Sequence, residues 1–200
     1  MPSEVTSDKH DRLPPDQVRI DRLLRWGEDH PTIGGSAPKI DIKNWTLDVG
    51  GEVEHPLRLG WLDVMTMPKL RSVSDFHWVE GWSVMRCEWE GVGFQRIIER
   101  VKPKVAARFV TFECADGYAT SLSLEELKGE GVLLAYRLNG RELEVGTGFP
   151  LRLIVPDKYA YKSPMWLTKI RFTANKELGY WEARGYSDTA DVWGNDRRAV

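Results

Sequence analysis

The chain has only two cysteines in 200 residues. Cys87 and Cys114 stand too far apart for a Cys-x-x-Cys redox or zinc pair, and a disulfide between them would be unusual in a cytoplasmic chain. The four histidines, His10, His30, His55 and His77, show no metal-ligand spacing, and a surface or hydrogen-bonding role accounts for each. There is no haem-attachment motif and no iron–sulfur cysteine set, so any electrons would leave through another protein. No apolar run approaches the roughly 20 residues of a membrane span. The stretch from Met1 to Pro15 is polar and lacks the apolar core of a secretory signal, so the expectation is a cytoplasmic protein. An excess of one charge is missing too. Twenty-eight basic and 30 acidic residues leave a net charge of -2, and they are interleaved, without the footprint of a nucleic-acid binder. Internal repeats and low-complexity segments are absent.

What is present suffices for one substantial domain with an extended arm: 42% of residues are hydrophobic and 29% charged. Nine tryptophans are many for this length. Because an indole is bulky and carries an N–H that needs a partner, several are expected at a cavity or interface. Residues 1–44 read as an N-terminal arm and loop wrapping the domain, and residues 45–200 as the domain itself. Within the arm, Val18, Ile20, Leu23, Leu24 and Trp26 have roughly helical spacing, and Thr32 to Pro38 is a loop by composition.

Alternation at Trp45, Leu47 and Val49 predicts a strand over Trp45–Val53, and Asp63–Met67 a short helix closed by Pro68. Arg71–Val79 is strand-like, and Gly81 then permits a sharp turn. Phe94–Val101 is helical by period, with Pro103 just beyond it. Arg108–Cys114 is a further strand, ending in the turn Ala115–Gly117, and Leu124–Lys128 one more helical turn. Val132–Leu138 followed by Asn139-Gly140 is a hairpin signal, with a returning strand expected over Glu142–Val145. Leu151–Val155 and Trp166–Phe172 complete the strands. The aromatic, polar end after Thr173 predicts an ordered wrap. The fold class is therefore α+β, dominated by sheet.

Named motifs go further. Asp75 to Ser83 reads Asp-Phe-His-Trp-Val-Glu-Gly-Trp-Ser. It is followed by Trp89-Glu-Gly-Val92, Phe112-Glu-Cys-Ala-Asp-Gly-Tyr118, Leu133 to Gly140, Gly148 to Pro156, Lys158 to Trp166 and Gly179 to Tyr186. In this order and spacing, from about Trp45 to Trp193, they resemble the oxidoreductase molybdopterin-binding domain, the family of sulfite oxidase. The resemblance implies a single-domain, sheet-rich α+β fold of sulfite-oxidase type. It also implies a molybdopterin cofactor whose molybdenum is held by the pterin dithiolene and one cysteine thiolate. Trp78 stands where that cysteine belongs, and an indole offers an N–H donor but no lone pair suited to a metal.

The same resemblance places Arg152 at a cofactor-contacting arginine, a role that suits a guanidinium's fork of donors. It sets Thr147 where relatives carry Asn or His, and Cys114 where some use threonine. Lys162 and Ser163 open the segment around the phosphate side. There Met165 replaces a usual lysine, and Pro164 lacks a backbone donor. The segment Arg25 to Pro31 lies where relatives reach the cofactor, with His30 as the residue to test. Cys87, nine residues beyond Trp78, is a possible substitute ligand, as is Cys114. Arg71, Arg86 and Arg184 are candidates to hold an anionic substrate. Two functions follow. One is a molybdopterin-binding oxidoreductase-family protein with altered or lost metal chemistry, served by a redox partner protein. The other is a non-catalytic binding or scaffold module that reuses the cofactor cleft for a small-molecule ligand or partner.

Overall fold

The computed structural model describes residues 3–6 and 12–199; His10 lies outside the described residues. The sheet-rich α+β architecture is as expected. One sheet runs in the order β1 (Ser3–Thr6), β5 (Lys69–Trp78), β6 (Trp82–Gly93), β9 (Leu133–Leu138) and β10 (Arg141–Glu142). In addition, β2 (Val18–Arg19) pairs with β6, and β11 (Arg152–Ile154) with β9. The second sheet runs β4 (Leu57–Gly60), β3 (Thr46–Gly51), β12 (Leu167–Thr173), β7 (Phe109–Cys114) and β8 (Ala119–Ser123). Three short helices, α1 (Trp61–Thr66), α2 (Phe94–Val101) and α3 (Leu124–Leu127), lie between strands.

Local chemistry explains these elements. In α2 the residues Phe94, Ile97, Ile98 and Val101 are buried, the i, i+3, i+4, i+7 stripe of an amphipathic helix. Lys102 then ends it in the left-handed region, with Pro103 next. The short α3 is held by a capping box. The Ser123 hydroxyl accepts from the Glu126 amide at 3.2 Å, and the Glu126 carboxylate accepts from the Ser123 amide at 2.8 Å. Asn139 and Gly140 both take positive φ, +50° and +76°, as a type I′ hairpin turn requires.

Two expectations need correction. The helical spacing from Val18 to Trp26 does not make a helix. The Val18 and Ile20 amides instead donate to the carbonyls of Gly81 and Ser83, each at 2.8 Å, so pairing with β6 overrides local periodicity. The strand returning from the hairpin is also shorter than expected. It covers only Arg141–Glu142, because Val145–Thr147 winds into a 3₁₀ turn. The end beyond Thr173 is indeed an ordered wrap, with Glu182, Ala190 and Val192 buried.

Two apolar clusters form. The larger joins the second sheet to α1, α2, β9 and β11, through Leu47, Phe94, Ile97, Phe112, Leu134 and Ile170 among others. The smaller lies between the β5–β6 hairpin, residues 159–166 and the N-terminal arm, and contains Trp26, Phe76, Trp78, Cys87, Trp89 and Trp166. No helix among the described residues is long and apolar enough to cross a membrane.

Gly91 marks a close approach. A Cβ there would stand 2.0 Å from the Leu134 carbonyl oxygen, at a register irregularity between β6 and β9. Gly91→Ala should therefore lower the unfolding free energy by about 1–3 kcal/mol, the usual cost of overpacking, measured by urea denaturation. An unchanged midpoint would show that the strands separate without strain.

Candidate functional site

The β5–β6 hairpin sets Trp78 across from Trp82, and Gly81, with φ +106°, makes the turn between them. Behind the hairpin, the Ser83 hydroxyl donates to Gln17 Oε1 at 2.9 Å while His77 Nδ1 lies 2.7 Å from the same hydroxyl. One hydroxyl has one proton, so Nδ1 carries its own and donates. Burial lowers the pKa of His77 and keeps it neutral in this role. Gln17 Nε2 then donates to the Trp78 carbonyl at 3.2 Å, which ties the arm to the residue of interest.

The Trp78 side chain is 7% exposed. Its ring meets Trp26 edge-on at 4.9 Å, His30 edge-on at 5.6 Å, and stacks on Trp82 at 6.0 Å. Its Nε1 is buried and has no hydrogen-bond partner. Trp78 lines two spaces, as do His30, Pro31, Ile33, Tyr161 and Trp181. An inner chamber of about 60 Å³ is lined by Trp26, His30, Trp78, Asp116, Tyr118, Arg152, Tyr161, Ser163, Pro164, Met165 and Trp181, among others. An outer cleft of about 320 Å³ is lined by His30, Trp78, Glu80, Tyr161, Tyr180, Trp181 and Tyr186, with Pro31, Thr32, Ile33 and Val79.

Of the residues singled out in the sequence, His30, Trp78, Arg152, Ser163, Pro164 and Met165 line the inner chamber; Cys114, Thr147 and Lys162 do not. Cys114 is packed in the larger core cluster. Thr147 closes its own turn, its hydroxyl accepting from the Glu144 amide at 3.0 Å. Lys162 is fully buried in an ion pair. Its Nζ lies 2.5 Å from Glu182 Oε1 and 3.1 Å from Asp188 Oδ1, and donates to the Ser121 carbonyl at 3.0 Å. The three candidate arginines also lie off both spaces. Arg71 pairs with Glu90 at 3.1 Å, Arg86 is exposed, and Arg184 stacks over Tyr180 at 3.6 Å. Tyr118, Tyr161 and Trp181 were missed as individual wall residues, although all three fall inside quoted motifs. Asp116 and Glu80 carried no signal in the sequence beyond their neighbours.

Arg152 is the one side chain in the chamber with a formal positive charge. It is 1% exposed. Its guanidinium donates to the carbonyls of Thr147 at 2.8 Å and Ser163 at 3.0 Å, and Nε has no partner. The rings of Phe76 and Trp89 lie 5.0 and 5.5 Å from it. No carboxylate pairs with it among the described residues. Burial drives its pKa down to about 9, which still leaves it charged at neutral pH.

The residues fit the two halves of a molybdopterin cofactor differently. A buried guanidinium without a counter-ion suits an anionic group such as a phosphate. The donor set for the metal does not fit. No group of three or more His, Cys, Asp or Glu among the described residues is placed to hold a metal ion. Cys87 does not line the chamber, and its thiol donates to the Val84 carbonyl at 3.7 Å. Burial pushes its pKa up to about 12, and burial also raises that of Cys114, whereas a metal ligand must be a thiolate.

Two outcomes follow. At pH 8 neither cysteine of the native protein should react with iodoacetamide over an hour, and both should react in denaturant, as counted by mass spectrometry; native labelling of Cys87 would refute its burial as a thiol. Since its folded pKa is raised, the stability it contributes is present below the ordinary thiol value and is lost as pH rises from there towards 12. Lys162→Met should destabilise the fold by about 3–5 kcal/mol, because it strands the Glu182 charge. The double variant Lys162→Met/Glu182→Leu should recover much of that in thermal unfolding.

The sequence profile of the oxidoreductase molybdopterin-binding domain matches residues 34–181. The uncharacterised oxidoreductase YuiH of Bacillus subtilis (strain 168) is 40% identical over 157 residues, which are 78% of this chain and 79% of YuiH. The protein-methionine-sulfoxide reductase catalytic subunit MsrP of Campylobacter jejuni is 31% identical over 169 residues, covering 76% of this chain and 57% of MsrP. The sulfane dehydrogenase SoxCD of Paracoccus pantotrophus superposes with a TM-score of 0.67 at 20% identity, over 74% of this chain and 42% of the SoxCD chain. That likeness shows a common fold. The chain thus spans little more than half of the sulfoxide-reductase subunit and less than half of the SoxCD chain. With the profile covering most of its length, the protein belongs to the oxidoreductase molybdopterin-binding domain family.

Proposed function

We propose that this family member keeps the anion-recognising part of its pocket and has given up a protein-held metal. The observation that carries this is Arg152, a buried guanidinium on the chamber wall that no carboxylate among the described residues pairs with, although Asp116 lines the same chamber. Arg152 would hold the anionic end of a ligand of the molybdopterin class, with Ser163, Pro164 and Met165 as wall. When bound, such a cofactor supplies the dithiolene as the metal's own ligand. The chain adds an anchoring charge and an apolar enclosure, and its indole at position 78 adds no metal ligand. Sulfite-oxidase-type chemistry at a thiolate-held centre is therefore lost or altered.

A second reading has its own support. The inner chamber is about 60 Å³, well below the roughly 300–1,000 Å³ of ordinary ligand pockets. It favours a non-catalytic binding module in which Trp78 fills part of the former cofactor space.

Purification from a host that makes the cofactor separates the two, with molybdenum and tungsten measured by elemental analysis and the released, oxidised pterin by fluorescence. The first reading expects stoichiometric pterin that falls at least tenfold in Arg152→Met. Absence of pterin from the parent protein would overturn it and leave the binding module. Trp78→Cys should raise the metal-to-protein ratio if the remaining walls still suit the cofactor. No gain would mean that Met165 and Pro164 have also closed the site.

A further inference from the structure

The outer cleft has a chemistry of its own. No lysine or arginine is among its lining residues, so it lacks what an anionic substrate needs. Its walls are Trp78, Tyr161, Tyr180, Trp181 and Tyr186, and its carboxylate is Glu80, whose side chain is 58% exposed and lies 3.2 Å from His30 Nε2. The rings stand at steep angles. Tyr180 and Trp181 are 5.1 Å apart at 88°, Trp181 and Tyr186 5.1 Å at 59°, and Tyr161 and Tyr186 5.6 Å at 69°. Rings so inclined form the sides of a box, each with an electron-rich face, which is the arrangement that attracts a cation. Two of the same rings already hold cations that do not line the cleft. The guanidiniums of Arg184 and Arg198 lie 3.6 and 4.1 Å from the centroids of Tyr180 and Tyr186. The buried cation Arg152 lines the inner chamber and not the cleft.

We propose that the outer cleft binds a small organic cation, a quaternary or protonated amine, held by the aromatic faces with Glu80 as counter-charge. Its volume of about 320 Å³ is at the lower end of small-molecule pockets, enough for an alkylammonium headgroup and a short tail.

The test is isothermal titration calorimetry of the purified protein at constant ionic strength. The probes are choline chloride, its uncharged isostere 3,3-dimethylbutan-1-ol, and sodium sulfate. Choline should bind saturably, the isostere at least about tenfold more weakly, and sulfate should not compete with choline. Glu80→Gln, at an exposed position, should weaken choline by about threefold or more, and Tyr180→Leu by about tenfold, both with a melting temperature near that of the parent protein. Equal binding of the isostere would reduce the cleft to an apolar hollow and overturn the proposal. Competition by sulfate, no binding of choline, or unchanged affinity in either variant would overturn it as well.

Discussion

The ion pair between Lys162 and Glu182 holds the far wall of the site in place. Each side chain is 1% exposed, and a lone charge at that depth is costly enough that neither residue can be buried without the other. The pair gathers distant segments. Glu182 Oε1 also accepts from the Thr120 hydroxyl at 2.5 Å, and Lys162 reaches the Ser121 carbonyl and Asp188. So β8, the 3₁₀ turn Ala160–Lys162 and the wrap from residue 182 to 188 meet at one point. Tyr161 and Trp181 are the sequence neighbours of the two charges, and both become walls of the chamber and cleft. The opposite wall hangs on the neutral chain from His77 through Ser83 and Gln17 to the Trp78 carbonyl.

Arg152 and Lys162 show how two cations from adjoining motifs diverge once folded. Both are almost wholly buried. Lys162 has two carboxylates within ion-pair distance, so its charge is satisfied within the protein and serves architecture. Arg152 has two carbonyls and two aromatic rings, which supply hydrogen bonds and partial charge but no neutralising anion. A guanidinium tolerates this better than an ammonium would, because its charge is delocalised and less strongly hydrated. Arg152 thus keeps a charge that no carboxylate among the described residues pairs with, on the wall of a chamber that Asp116 also lines.

Much of the fold was legible because many of its elements announced themselves locally. The stripe of Phe94, Ile97, Ile98 and Val101 bounded α2 to the residue, and Asn139-Gly140 placed the hairpin turn. What misled were segments whose partners lie far away in sequence. Val18 to Trp26 has helical spacing, yet its backbone bonds to Gly81 and Ser83, some sixty residues on. β4 and β8 went unseen because each is short. Of the residues taken from motif order, Trp78 and Arg152 do come together on one chamber. The site was not legible at Lys162, whose carboxylate partners arrive from residues 182 and 188 through a wrap without periodicity. Nor could sequence show that Glu80, a turn residue, becomes the carboxylate of an aromatic cleft.

Trp78 acts as a partition. Swinging it out of its box would expose roughly 150–250 Å² of indole, which at about 25 cal/mol per Å² amounts to some 4–6 kcal/mol as an upper bound. A ligand that had to displace it would bind up to about 10³–10⁴-fold below its affinity for an open site. The ring is thus one fixed part of a wall that it shares with His30, Pro31, Ile33, Tyr161 and Trp181. Arg152 and Asp116 line the chamber, and Glu80 with the aromatic rings lines the cleft. An apolar ring suits that boundary, because it offers neither charge a partner and admits no water path through itself. A thiolate at position 78 would bring a charge to the same boundary, drawing Arg152 towards itself and opposing the carboxylate across the wall.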